Sequence, residues 1–313
     1  MSFEVREPAT VHVARPIPRR YVALGLIVVV IVLLGALIAI RGSKPQSNTA
    51  AVETFNPAPA SVMTPLTSMP TATINAVGAS TPASGAIAPL KATGSTSVWQ
   101  ASSHHVAARP VVFFYGSEFA PYAAAERWPV IAALSRFGTF TSVGLMQSSD
   151  SIAFSNTPTF TFSATKYSSV WIHLQTVERY SALNPTGARY TSLQLPTPTQ
   201  AAAVALYDGQ STMPLLDIAN RYVLVGSSFS PGVLGSQSQS QIVSDLSIPT
   251  SPITESIVAS ANQITAGICT LTGQRPTAVC HARGVVAAAA KLPAATGAGT
   301  ALGAGAAAKT SGS

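Results

Sequence analysis

Residues 111–140, VVFFYGSEFAPYAAAERWPVIAALSRFGTF, carry the reading of the fold. Val111 to Tyr115 is a short β-branched and aromatic run, suited to a strand buried on both faces. Gly116 ends it. Pro121 suits the first turn of a helix, where its missing N–H has no partner to lose. Val130, Leu134 and Phe137 then recur at i, i+4 and i+7 with Ile131 beside them, a stripe that should face a sheet. Pro129 removes the hydrogen bond to the Ala125 carbonyl and predicts a kink there, and Gly138 is expected to stop the helix.

The chemistry available at this strand-to-helix junction is limited. A helix N-terminus concentrates unpaired N–H groups and partial positive charge, which lowers the pKa of a cysteine placed there and makes it a nucleophile. Ala120 and Ala123 can do neither. The polar side chains nearby are Ser117, Glu118, Tyr122, Glu126 and Arg127. No histidine is close in sequence to activate Ser117, which reads as a turn residue. Glu118 and Glu126 read as solvated or capping charges rather than an acid/base pair.

Outward from the junction, Thr139 to Gln147 reads as a strand, and Thr157 to Ser163 and Ser169 to Glu178 alternate apolar and polar residues as strands or a hairpin would. Pro198 to Tyr207 reads as a helix, Met213 to Val225 as one bent strand or a strand pair, and Ile253 to Thr272 as a long amphipathic helix. The alternation of types points to a single α/β domain over residues 96–283. No internal repeat, nucleophilic triad, glycine-rich phosphate loop or metal constellation stands out, and no cofactor is expected. His173 falls in an alternating strand and reads as an ordinary strand residue.

The stretch Phe114 to Trp128, FYGSEFAPYAAAERW, followed by Leu134 to Phe140, LSRFGTF, resembles the uncharacterised thioredoxin-like family catalogued as domain of unknown function 929. The resemblance implies a thioredoxin-like domain with inserted strands. Members typically show Cys-Pro-Tyr-Cys at the turn, where this chain has Ala120, Pro121, Tyr122 and Ala123. The resemblance therefore implies a degenerate redox turn without dithiol catalysis. Thr212 to Gly226, TMPLLDIANRYVLVG, resembles the segment that carries the cis-proline of thioredoxin folds, with Thr212, Met213 and Pro214 as its loop. In such folds this loop faces the redox turn and the backbone beside the proline pairs with an extended peptide. That pairing rests on main-chain hydrogen bonds and needs no thiol.

Cys269 and Cys280 are the only cysteines. In an extracytoplasmic domain an even pair reads as a disulfide, and the two resemble a C-terminal cysteine pair of the same family. A redox pair is the sharper alternative, although the Cys-x-x-Cys spacing that tunes reactivity is absent. A metal site would need more ligands than His281 adds.

The ends of the chain differ from its middle. Tyr21 to Ile40 is an uncharged run of twenty residues dominated by Val, Leu and Ile, which at about 1.5 Å per residue spans roughly a bilayer core of 30 Å. It reads as an uncleaved signal-anchor rather than a cleaved peptide. Arg6, Arg15, Arg19 and Arg20 precede it, while Arg41 and Lys44 follow. Residues 1–20 are thus a cytoplasmic leader, and the C-terminal part is extracytoplasmic. Residues 41–95, rich in Ala, Thr, Ser and Pro, read as a disordered tether, and the Ala/Gly-rich residues 284–313 as a tail.

The net charge of +7 sits at these ends: residues 1–44 carry +4, residues 45–274 carry −1 and residues 275–313 carry +4. A nearly neutral middle with no Lys/Arg stripe argues against a nucleic-acid partner. The expectation is a membrane-anchored thioredoxin-like domain whose groove between Ala120 to Ala123 and Met213-Pro214 binds a peptide or envelope protein. The alternative is a thiol-disulfide oxidoreductase or isomerase working through Cys269 and Cys280, and a third reading is a structural envelope protein with no groove function.

Overall fold

The computed structural model describes residues 55–80, 90–93, 109–182, 190–209 and 214–294. In chain order the elements are α1 (Ala60–Thr67), α2 (Thr71–Val77), β1 (Lys91–Ala92), β2 (Val111–Gly116), α3 (Pro121–Leu134), β3 (Gly138–Gln147), β4 (Pro158–Ser169), β5 (His173–Glu178), α4 (Pro198–Tyr207), β6 (Leu215–Ile218), β7 (Tyr222–Val225), α5 (Gln239–Asp245), α6 (Pro252–Leu271), α7 (Thr277–Cys280) and α8 (Arg283–Ala289). The chain is a mixed α/β protein.

Five strands form one sheet in the order β1-β7-β6-β2-β5, with β2 parallel to β5 and every other pair antiparallel. Parallel neighbours need a crossover, and α3, β3 and β4 lie within it. Successive strand residues point to opposite faces, and the core divides accordingly. Val112 and Phe114 of β2, Leu216 of β6 and Leu224 of β7 join the larger core with α3 and α6. Phe113, Tyr115, Leu215 and Val223 face the other way, onto Ala203 and Val204 of α4. On α6, Ile257, Ala261, Ile264 and Ile268 recur along one stripe of the larger core.

Met213 to Val225 resolves as two strands from Leu215 onward. Ala219 and Asn220 both adopt left-handed backbone, φ 49° and 56°, in the three-residue connection Ala219 to Arg221 between paired Ile218 and Tyr222, and Arg221 N donates to the Ile218 carbonyl at 2.9 Å, as in a type I′ turn. Asn220 N donates to Asp217 Oδ1 at 2.7 Å and Tyr207 Oη donates to Asn220 Oδ1 at 2.8 Å, which pin the turn.

β3 and β4 form a separate two-stranded sheet with register shifts. β4 extends to Ser169, beyond the expected Ser163, because the alternating run continues through a bulge. α3 runs through Pro129 as one helix and ends at Leu134. Gly138 is not its stop but the first residue of β3: a Cβ there would collide with the Ser168 carbonyl oxygen and lie 2.6 Å from the Tyr167 hydroxyl.

Two expectations about the ends need correction. Residues 55–80, read as tether, belong to the packed domain: Val62, Leu66 and Ile74 of α1 and α2 are buried in the larger core. Asn262 Nδ2 donates to the Ile74 and Gly78 carbonyls at 3.1 and 2.7 Å, and Gly284 N donates to Asn75 Oδ1 at 2.9 Å. Apolar residues at helical spacing outweigh the Ala/Thr/Ser/Pro composition here. The Ala/Gly tail likewise begins later than residue 284, since α8 is helical and its Val285 and Ala288 are buried. Gly284 is required there, because a Cβ would strike the Ile74 carbonyl oxygen.

The leader 1–20, the Tyr21 to Ile40 span, the remaining tether residues 41–54, 81–89 and 94–95 and the tail from 295 onward lie outside the described residues. Among the described residues no helix is long and apolar enough to cross a membrane.

Candidate functional site

β2 delivers the chain to the turn through Gly116, where an added Cβ would stand 2.8 Å from the Phe114 ring and 3.4 Å from Ala123 Cβ. The turn is held from both sides: Glu118 N donates to the Tyr180 carbonyl at 2.8 Å and Ser149 N to the Phe119 carbonyl at 3.0 Å. Ala120 occupies the N-cap of α3 in extended backbone, φ −81° and ψ 121°, with no side-chain cap, and Pro121 follows in the first turn. Ala120 and Ala123 are buried, whereas Tyr122 is 37% exposed. The hydroxyl, thiol or carboxylate that would ordinarily serve chemistry at a helix start is missing from the two alanines.

The surface around the turn is aromatic instead. Tyr122 meets Phe154, itself 43% exposed, edge to face at 6.0 Å between ring centroids. Phe119 stacks on Tyr190 at 4.1 Å, and Tyr190 Oη donates to Ser149 Oγ at 2.9 Å. Phe154 holds φ 57°, left-handed for a bulky side chain, a conformation that costs energy unless its surroundings impose it.

Pro214 opens β6. Leu215 pairs with Tyr115, so the antiparallel register carried one step further sets Pro214 opposite Gly116, beside the turn. Gly226 N donates to the Pro214 carbonyl at 2.7 Å. Thr212 and Met213, and with them the cis assignment at Met213-Pro214, lie outside the described residues.

Beneath the turn are four charged groups that sequence reading set on the surface or passed over. Glu118 and Glu126 are buried, not solvated, because the turn is covered by β4, by residues 178–181 and by the loop after β7. The Thr161 hydroxyl donates to Glu118 Oε1. Arg127, also fully buried, grips Glu178 at the end of β5, with Nε to Oε1 at 2.9 Å and Nη2 to Oε2 at 2.6 Å. Its Nη2 also donates to the Ser117 carbonyl at 3.1 Å, and its Cζ lies 5.6 Å from the Phe114 ring centroid. Burial pushes the Glu178 carboxyl up, Arg127 draws it back down and the nearby Glu118 adds a smaller upward push.

Glu126 points to the opposite side, toward the loop after β7. Ser228 donates to its Oε2 twice, from N at 2.8 Å and from Oγ at 2.7 Å. Burial without a cation pushes this carboxyl up to about 7, against the lowering effect of Ser228 and Ser227. A glutamate in a helix that also holds Ala, Trp and Val on every side is the signal that could have marked it as interior.

Cys269 at the end of α6 and Cys280 in α7 form a disulfide with Cα atoms 5.6 Å apart, each cysteine 2% exposed. Neither lies on an element that forms the turn. Among the described residues no three of His, Cys, Asp and Glu converge where they could hold a metal ion.

A family model, Domain of unknown function (DUF929), matches residues 98–270, more than half of the chain. The chain belongs to the DUF929 family. The match takes in the turn, the buried Arg127–Glu178 pair, Glu126 with its serines, and Cys269, but not α1, α2 or Cys280. No curated protein and no solved structure matches the chain.

Proposed function

We propose that this DUF929 chain is a membrane-anchored, extracytoplasmic domain of thioredoxin-like fold that binds extended peptide or protein segments at its degenerate turn and carries out no dithiol exchange there. The arrangement β5-β2-β6-β7, with β2 and β5 parallel, α3 in the crossover and α6 returning onto the same core as α3, supports the fold assignment. The hydropathy of Tyr21 to Ile40 and the arginines before it support anchoring, with the N-terminus in the cytoplasm.

The observation that carries the binding reading is Tyr122. It stands exposed on the first turn of α3 against Phe154, with alanines to either side and Pro214 across the strand register. Exposed aromatic side chains beside free helix N–H groups suit a peptide surface and lack a nucleophile. The alternative exchanger working through Cys269 and Cys280 draws no support from a pair so deeply covered.

The two readings separate in one experiment with purified full-length protein. The expected result is no turnover in insulin-disulfide reduction, together with binding to an array of unfolded-protein peptides that Tyr122→Glu weakens. Robust turnover lost in Cys269→Ser overturns the proposal, and peptide capture undiminished by Tyr122→Glu places binding elsewhere.

A further inference from the structure

A second surface, away from the turn, has the form of a strand-binding groove. A cleft of about 430 Å³ lies between α1 and β3, within the size range of ligand clefts. Six consecutive residues of β3, Gly138 to Val143, form one wall. Because successive strand side chains point to opposite faces, a cavity lying on one face of a sheet meets alternate residues. A cavity that meets six in a row runs along the strand's edge, where the backbone N–H and C=O groups are. β3 pairs with β4 along its other side, and Gly138 to Ser142 have no further strand partner among the described residues. The opposite wall is a single stripe of α1, Ala60, Met63 and Thr67 at i, i+3 and i+7.

The same edge already takes a strand next door. Ala58 N donates to the Val143 carbonyl at 2.8 Å and Leu145 N to the Asn56 carbonyl at 2.7 Å, with Pro57 antiparallel to Gly144. The chain then turns away at Pro59 into α1, and the cleft begins where this short strand stops. Exposed edges are commonly guarded by Pro, or by Lys or another charged side chain. Residues 138–143, GTFTSV, contain none of these.

We propose that this cleft binds an extended, uncharged peptide segment of a partner protein, added as a strand to the Gly138–Ser142 edge of β3 and held against α1. Five strand residues extend about 16 Å, so the segment is about five residues long. Main-chain hydrogen bonds supply the affinity, and the α1 stripe selects the side chains that face it. None of the described residues lining the cleft is charged, and a charged side chain entering it would lose water without gaining a counterion. Small and β-branched residues such as Ala, Thr and Val fit both the strand conformation and the lining of methyl and hydroxyl groups. This surface does not depend on the turn or on Tyr122.

The test uses the full-length chain and the blocked peptide acetyl-Ala-Thr-Val-Thr-Val-Ala-amide, followed by hydrogen-exchange mass spectrometry and titration. The expected result is saturable binding with slowed exchange confined to residues 138–143. Ala60→Trp and Ser68→Trp, two exposed positions on the cleft wall, fill it from either end of α1 and weaken binding about tenfold or more with unchanged circular dichroism. Leu195→Ala, at an exposed position outside the cleft lining, leaves it unchanged. Failure to saturate at roughly millimolar peptide, protection elsewhere, or loss on Tyr122→Ala while both tryptophan variants bind normally overturns the proposal.

Discussion

Arg127 of α3 and Glu178 at the end of β5 meet in a two-pronged ion pair, Nη2 to Oε2 at 2.6 Å and Nε to Oε1 at 2.9 Å, with neither side chain exposed. The pair ties the helix after the turn to the strand parallel to β2. Removing one member leaves the other charged and buried, so Glu178→Ala should cost about 3–5 kcal/mol, whereas the double change Arg127→Met with Glu178→Leu should recover most of that loss. Urea unfolding of the two variants checks this, and an equal loss in both would show that packing, not the stranded charge, sets the cost.

Glu126 makes stability depend on pH in the direction opposite to an ordinary surface acid. Its folded pKa, about 7, lies above the ordinary carboxyl value of 4.5. The folded state therefore takes up a proton that the unfolded chain does not, and stability falls as pH rises from about 4.5 to about 7, then levels off. The full fall attributable to this group is about 3 kcal/mol. Glu126→Gln should flatten that part of the profile and raise the melting temperature at pH 8, measured by thermal unfolding across pH. The raised carboxyl of Glu178 works in the same direction, so some slope should remain.

The Cys269–Cys280 bridge closes a sequence separation of 11. In the chain-entropy model a loop of this size stabilises by roughly 3 kcal/mol. Cys269→Ser together with Cys280→Ser should lower stability by about that amount while leaving the surface around Tyr122 intact. Alkylation followed by mass spectrometry of the denatured, unreduced wild type should find no free thiol.

Leu66 sits in α1, in a region whose composition reads as a linker, yet it is fully buried. Leu66→Ala should cost about 2–5 kcal/mol, where the same change in a solvated tether would cost nothing measurable. Protection of residues 60–77 from limited proteolysis in the wild type, and its loss in the variant, gives an independent readout.

Much of the fold was legible in local patterns. Val111 to Tyr115 announced a strand, Pro121 with the Val130, Leu134 and Phe137 stripe a helix, and Pro198 to Tyr207 a second helix, found with those bounds. These signals act between residues a few positions apart. Gly138 misled because a glycine after a helix looks the same in sequence whether it terminates the helix or admits a carbonyl from a neighbouring strand. Val62, Leu66 and Ile74 were masked by the Pro, Ser and Thr around them, although Pro59 and Pro70 stand where helices start.

The candidate site was legible only as a position. The alanines and Tyr122 at the head of α3 could be read from the junction, and Pro214 from the run it opens. The charges underneath could not, because Arg127 and Glu178 are 51 residues apart and Glu126 and Ser228 are 102 apart. No spacing rule links residues that only the sheet and the loop after β7 bring together.

By itself the sequence determined the α/β alternation, the strand-turn-helix unit with no thiol at its turn, and a candidate cysteine pair, since hydrophobic period, proline geometry and residue identity are properties of the chain. Tertiary structure alone decided that Glu118, Glu126, Arg127 and Glu178 are interior, that residues 55–80 pack on the domain, and that the β3 edge faces a cleft. Burial and open edges depend on which distant segments cover a residue, and a linear string does not contain that information.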